Sequence, residues 1–225
     1  MSQLEPTPRT TLKRGKDRGS YELADIHGIL DDGLACQLAF IHNGSPHIIP
    51  TAYGRVGSTV YVHGAAANRA LRALCNGETA CLSVTHIDGL VLARSAFHHS
   101  MNYRSVVLYG PMREVTEHCE WQAGLRAIIE HMMPGRWDDV RSPNEQESKR
   151  TMVLALEIDE GSAKVRTGPP VDDEEDYALG CWAGVIPTTT HFATPIDDPR
   201  LAAGIEVPHY VTHYPRAKRQ NGAAR

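Results

Sequence analysis

Aromatic residues are scarce in this 225-residue chain: three Phe, three Trp and eight Tyr. That leaves little material for the stacking platforms that hold single-stranded nucleic acid. The formal net charge is −4 with both signs mixed, and outside the two short ends no basic stripe tracks a phosphate backbone. Cysteine is sparse too. Cys36, Cys75, Cys81, Cys119 and Cys181 are odd in number, widely spaced and without a CxxC. A disulfide framework and a zinc cluster are thereby disfavoured, and buried free thiols in a reducing compartment are expected. No apolar run reaches the length of a membrane span. The start, MSQLEPTPRTTLKRGKDRG, lacks the apolar heart of a signal peptide. Neither GxxxxGK[ST] nor GxGxxG occurs, so triphosphate and dinucleotide motifs do not compete. The expectation is a cytoplasmic protein with a small-molecule partner, binding neither nucleic acid nor membrane.

What is present is a β-rich pattern. Residues 1–20 and 215–225 are polar and basic without hydrophobic period, and read as flexible ends; residues 21–214 read as one domain. Leu23, Ile26, Ile29 and Leu30 recur at helical spacing before Asp31–Asp32–Gly33. Strands follow at 34–41, 47–53 and 59–63, the first two joined by the turn His42–Asn43–Gly44–Ser45. AANRALRALC (66–75) is rich in helix formers, and 79–86, 103–109 and 152–158 return to strand. A second apolar stripe, Trp121, Leu125, Ile128, Ile129 and Met132, marks a helix over 117–133. A short polar helix is expected at 143–150, a pairing segment at 164–167, and irregular chain beyond Trp182. No βαβ alternation runs through this order. The fold class is therefore mainly β: an antiparallel barrel with peripheral helices.

The stretch PTAYGRVGSTVYVHGAAANRALRAL (50–74) carries the chemistry. Two strands lead through small residues into a helix whose first turn holds Asn68 and Arg69. Unpaired N–H groups at a helix start favour an anion, and Arg69 or Arg72 supplies charge-assisted hydrogen bonds. Gly64 and Ala65–Ala67 allow close approach of a ligand. The competing reading leaves Arg72 solvated on an ordinary turn. His63 closes the strand before this turn, as a ligand contact or as a hydrogen-bonded strand end. Adjacent His98–His99 diverge and read as loop residues, with metal or haem binding the rival. Asp172 to Asp176 (DDEED) reads as a solvated face. No metal site and no nucleophile triad are assigned.

TAYGRVGSTVYVHGAAANRALRAL, a following strand, and HHSMNYRSVVLYGPMREV in that order resemble the pyridoxamine 5′-phosphate oxidase-related flavoproteins. The nearest likeness is to the branch of the nitroimidazole-resistance proteins. A helix after MVLALEI and the late CWAGVIP fit the same pattern, so the resemblance runs from about 31 to 187. It implies a six-stranded split β-barrel working as a homodimer, with FMN at the subunit interface. It places His63, Gly64, Asn68 and Arg69 at the phosphate and ribityl chain, and Thr51, Ala52 and Tyr53 along the flavin ring. Tyr103, Arg104 and Ser105 supply further polar contacts, Trp182 lies against the flavin of the other subunit, and His63 is the candidate catalytic residue. The oxidases proper tend to carry Ser-Arg-Lys where this chain has Ala67–Asn68–Arg69, and their C-terminal arginine-and-histidine signature is absent. The implied activity is FMN-dependent reduction of a small electron-poor molecule such as a nitro compound or quinone. A non-catalytic flavin carrier or sensor, a haem protein on the same scaffold, and the deazaflavin F420 are the alternatives.

Overall fold

The computed structural model describes residues 2–214. In chain order the elements are β1 (Gly19–Ser20), α1 (Leu23–Asp32), β2 (Cys36–His42), β3 (Ser45–Thr51), β4 (Tyr53–Val56), β5 (Thr59–Ala65) and α2 (Arg69–Cys75). There follow β6 (Thr79–Leu92), β7 (Ser100–Pro111), β8 (Arg113–Glu114), α3 (His118–Met132), α4 (Glu145–Arg150), β9 (Thr151–Glu157), β10 (Gly161–Arg166), β11 (Gly184–Pro187) and α5 (His209–Thr212). The strands form a large sheet in the order β1-β10-β7-β6-β2-β3, with β11 also on β6, and a small sheet in the order β4-β5-β9-β8. Every pairing is antiparallel. The chain changes sheets at two single residues, Ala52 between β3 and β4 and Met112 between β7 and β8. Those are the seams of a split barrel.

The main core lies between the sheets. Leu38, Val84, Val106 and Leu108 of the large sheet meet Val60, Val62, Leu154 and Leu156 of the small one. Ile26, Ile29 and Leu30 of α1 and Leu71 and Leu74 of α2 pack into the same cluster. A second cluster covers the other face of the small sheet: Tyr61, Val153 and Ala155 beneath Trp121, Leu125 and Ile128 of α3. β9 is therefore buried on both faces, which explains why MVLAL is an unbroken apolar run. Of the stripe read on α3, Met132 is exposed and Gly124 is buried in its stead. Gly54 is required where α3 crosses β4, since a Cβ there would fall 2.3–2.5 Å from the backbone of Ala127 and Ile128. The β2–β3 turn has Asn43 and Gly44 at φ 50° and 74°, the left-handed pair of a tight hairpin.

Four expectations change. No helix directly follows β9; Asp159 and Glu160 lead into β10, which pairs antiparallel with β7 rather than beside β9. Val185–Ile186 form a strand, because β6 is 14 residues long and presents a free edge beyond β2 to the four residues of β11. Cys119 and Cys181 are exposed; of the five free thiols only Cys36 is fully buried. Residues 2–20, read as a flexible arm, lie against the barrel: Leu4 and Thr10 are buried, Arg9 and Thr7 bind Glu160, and β1 pairs with β10. The tail read at 215–225 lies outside the described residues. Among the described residues no helix is long and apolar enough to cross a membrane.

Candidate functional site

The residues of the 50–74 stretch meet at the seam. Ala52 links the sheets and packs on the α3 cluster. Tyr53, fully buried, donates its hydroxyl hydrogen to Leu30 O, holding α1 to the small sheet. Tyr53 is thus a structural pillar beneath the strand read as lining a flavin ring. His63 sits on β5 opposite Val153, with Nδ1 buried and without a hydrogen-bond partner. Burial lowers its pKa, so the imidazole is neutral at pH 7 and Nδ1 waits for a donor or acceptor. Gly64 lies so close to α2 that a Cβ would be 2.8 Å from Leu71 Cδ1.

At the start of α2 the sequence answers its own unpaired groups. Asn68 Oδ1 accepts from Ala70 N at 2.9 Å, a side-chain N-cap. Arg72 folds back, donating from Nε to Ala66 O at 2.8 Å. Arg69 is exposed. Of the two arginines read for an anion, Arg69 is the one that remains available.

Tyr103, Arg104 and Ser105 lie elsewhere. They are on β7, three strands from Thr51 across the large sheet, or roughly 14 Å at the usual strand spacing. Arg104 is spoken for. Its Nε and Nη2 bind Asp88 at 3.0 and 3.1 Å, and Nη1 binds Asp32 at 2.7 Å. Asp88 reaches it because the β6–β7 register breaks between Ile87 and Gly89. One chain therefore does not bring the two groups of predicted residues together.

Trp182 is 66% exposed, its ring lying over Gly184. Met101, Leu90 and Ile186 stand in register across β7, β6 and β11, and all three are exposed. Phe97, 88% exposed, sits in the loop at the same end. Such a stripe marks a contact surface. His99 borders it, with Nδ1 2.9 Å from Ser95 O. Nδ1 is the donor, because a carbonyl only accepts, and Nε2 is the nitrogen left for another partner. Between β11 and α5 the chain runs outside the barrel, with Ile196 95% exposed. Tyr214 Oη (to Met132 O, 2.7 Å) and the Phe192–Tyr214 ring contact anchor its far end.

DDEED is not uniformly solvated. The Asp172 side chain is fully covered and pairs with Arg94. Burial alone would raise its pKa, but the backbone N–H groups of Arg94 and Ser95 and the Arg94 guanidinium outweigh that and lower it. His98, Asp173 and Asp176, of which only Asp173 is exposed, place their ligand atoms within 4.8 Å of one another, and exposed acidic groups are common without an ion. Sequence reasoning missed the exposed stripe and Asp172. Cross-strand register, which a single sequence does not print, was the missing signal for the first.

This fold, two antiparallel sheets joined at the Ala52 seam with His63 nearby on β5, is that of the flavin-type split barrels. Residues 22–165 match the pyridoxamine 5′-phosphate oxidase family, and the chain belongs to it. Two solved structures resemble nearly all of it. The flavocytochrome Anf3 from Azotobacter vinelandii is 38% identical, covering 93% of this chain and 97% of its own, with a TM-score of 0.88. The FAD and heme binding protein from Mycobacterium smegmatis is 36% identical, covering 87% and 96%, with a TM-score of 0.83. A 5-nitroimidazole antibiotic resistance protein from Bacteroides thetaiotaomicron is 20% identical over 65% of this chain and 86% of its own, with a TM-score of 0.56, and shares the fold. No curated protein matches.

Proposed function

We propose that this protein is a flavocytochrome-type oxidoreductase: a homodimer that binds a flavin nucleotide between its copies and a haem beside them. The carrying observation is identity of 38% and 36%, over almost the whole length, to proteins named for flavin and haem together. FAD fits that likeness better than the FMN implied by the family. A bound flavin exchanges electrons in pairs or singly and a haem singly, so the two together join a two-electron donor to a one-electron acceptor.

The residues divide the work. His63 offers a neutral, unpartnered Nδ1 to the flavin, and Arg69 is free for a phosphate. His99, whose Nδ1 donates to Ser95 O, would offer Nε2 to a haem iron, with the exposed Met101, Leu90 and Ile186 as apolar neighbours. A second copy supplies what one chain separates, since Thr51–Tyr53 and Tyr103–Ser105 sit three strands apart. The exposed Trp182 and the outlying segment around Ile196 then cover the neighbour. The acceptor is a small electron-poor molecule.

The absorbance spectrum of purified protein, with mass spectrometry of the released cofactors, tests this. Flavin bands together with a Soret band that shifts on reduction are the expected result, and His99→Ala should lose the Soret band while keeping the flavin. Flavin alone, even after haem is supplied, would return the protein to a simple flavoprotein. Absence of both after reconstitution would overturn the reading.

A further inference from the structure

Arg166 ends β10 with 8% of its surface exposed. Its hydrogen bonds go to neutral acceptors: Nη1 to Asn102 Oδ1 at 2.5 Å and Nη2 to Pro169 O at 3.4 Å. Among the described residues no carboxylate pairs with it, whereas the other largely covered arginines, Arg55, Arg94 and Arg104, each hold one or two. A covered guanidinium without a counter-charge is an unusual state, because desolvation opposes the charge and, among the described residues, only neutral hydrogen-bond acceptors offset it.

The surroundings add positive charge. Arg18 stands near enough to act electrostatically on Arg166, and together with burial it depresses the guanidinium's pKa. Gly15, at φ 59°, turns the basic segment KRGKDR back onto β10. A Cβ on Gly15 would lie 3.5 Å from Arg18 Cδ and 3.7 Å from Lys164 Cε, so those two stems flank the same point. Lys164 and Arg166, two apart on one strand, share a face. Tyr103 is their cross-strand neighbour, registered opposite Arg166. Three cations converge there, and no described acid neutralises them.

We infer that Arg166, Arg18 and Lys164 form an anion site for a phosphate or diphosphate group, distinct from the α2 turn. The guanidinium fork suits two phosphate oxygens at once, and Asn102 holds it in place. Asn102 is itself fixed, donating from Nδ2 to Gly168 O at 3.1 Å. The inference stands without the flavin and haem reading. The phosphate has two sources, a bound nucleotide or the free anion.

Thermal melting of the full chain as purified, with inorganic pyrophosphate added at matched ionic strength and chloride as control, is the test. Pyrophosphate should raise the Tm of the wild type and leave Arg166→Met unmoved. Arg18→Gln, a change on the exposed arm, should weaken the apparent affinity about tenfold, as for one lost charge-assisted hydrogen bond. Without anion, Arg166→Met should melt no lower than the wild type, since an unpaired buried charge is replaced by an apolar side chain. A markedly lower Tm would make Arg166 a structural tie to Asn102 and overturn the site. So would an equal pyrophosphate response in all three proteins, or none in the wild type. Titrations with FAD, FMN and riboflavin distinguish the sources. Loss of nucleotide affinity in Arg18→Gln, with riboflavin unaffected, assigns the site to the nucleotide's phosphate. A pyrophosphate response with unchanged nucleotide affinity assigns it to the free anion.

Discussion

The barrel core and the stripe at the β6–β7–β11 end use the same residue types to opposite ends. Val60, Val62, Leu154 and Leu156 lose all contact with water inside one chain. Met101, Leu90 and Ile186, equally well aligned across their strands, keep theirs. Burial at about 25 cal/mol per Å² rewards the first set on folding. The second set earns that reward only when something else arrives. A protein that spends aligned apolar side chains on water is prepared for a partner, and stability measurements should separate the two regions.

The largest effect belongs to the core. Leu154→Ala should cost about 2–5 kcal/mol, the range for a buried leucine whose site cannot collapse. Urea unfolding with an unchanged slope is the measurement, and a loss near zero would mean the sheets do not clamp β9 as described. Tyr53→Phe should cost about 0.5–1.5 kcal/mol, the net worth of one hydrogen bond, because Leu30 O keeps the Gly33 N–H and loses only the Tyr53 hydroxyl. On the stripe, Leu90→Asp should change unfolding of the single chain by no more than about 0.5 kcal/mol. Its consequence should appear in the absorbance spectrum, as loss of the Soret band. A Leu90→Asp protein that takes up haem as the wild type does would remove the stripe from the haem site.

The same division explains what could be read in the sequence. The core elements were legible because each carries its own period: the α1 and α3 stripes, the VLAL run of β9, the Asn43–Gly44 turn. The passage from β5 into α2 was legible because strand, small residues and helix follow one another directly, whereas the seam at Ala52 was read as the interior of one strand over 47–53 and is instead a switch between sheets. Arg104 was not. Its commitment to Asp32 and Asp88 depends on a register break at Asp88 and on where α1 ends, facts set by tertiary packing. β11 was missed for a related reason, since four residues ending in proline show a strand only when a long neighbour offers its edge. Arg166 reads as an ordinary alternating residue in SAKVR, and only the absence of an acid around it in space makes it notable.

The N-terminal arm supplies the smallest effect and sharpens the comparison, since unlike the segment around Ile196 it finds cover on its own chain. Glu160 is the clasp. It accepts from Arg9 Nε at 2.8 Å and from Thr7 Oγ1 at 2.5 Å. The Arg9 hydrogen bond, aided by Thr7, brings the Glu160 carboxyl down to about 2. A carboxylate whose folded pKa is depressed contributes stability above its unfolded value, near 4.3, and loses it as pH falls through the folded one. The clasp should therefore hold above about pH 4.5 and open progressively toward pH 2. Because this surface pair is salt-screened, the core should barely register it. Glu160→Gln should open the clasp at neutral pH, with faster tryptic cleavage at Arg9 and Lys13 and an unchanged Tm. Equal cleavage in both proteins would show that Leu4, Thr10 and the β1–β10 pairing hold the arm without the ion pair.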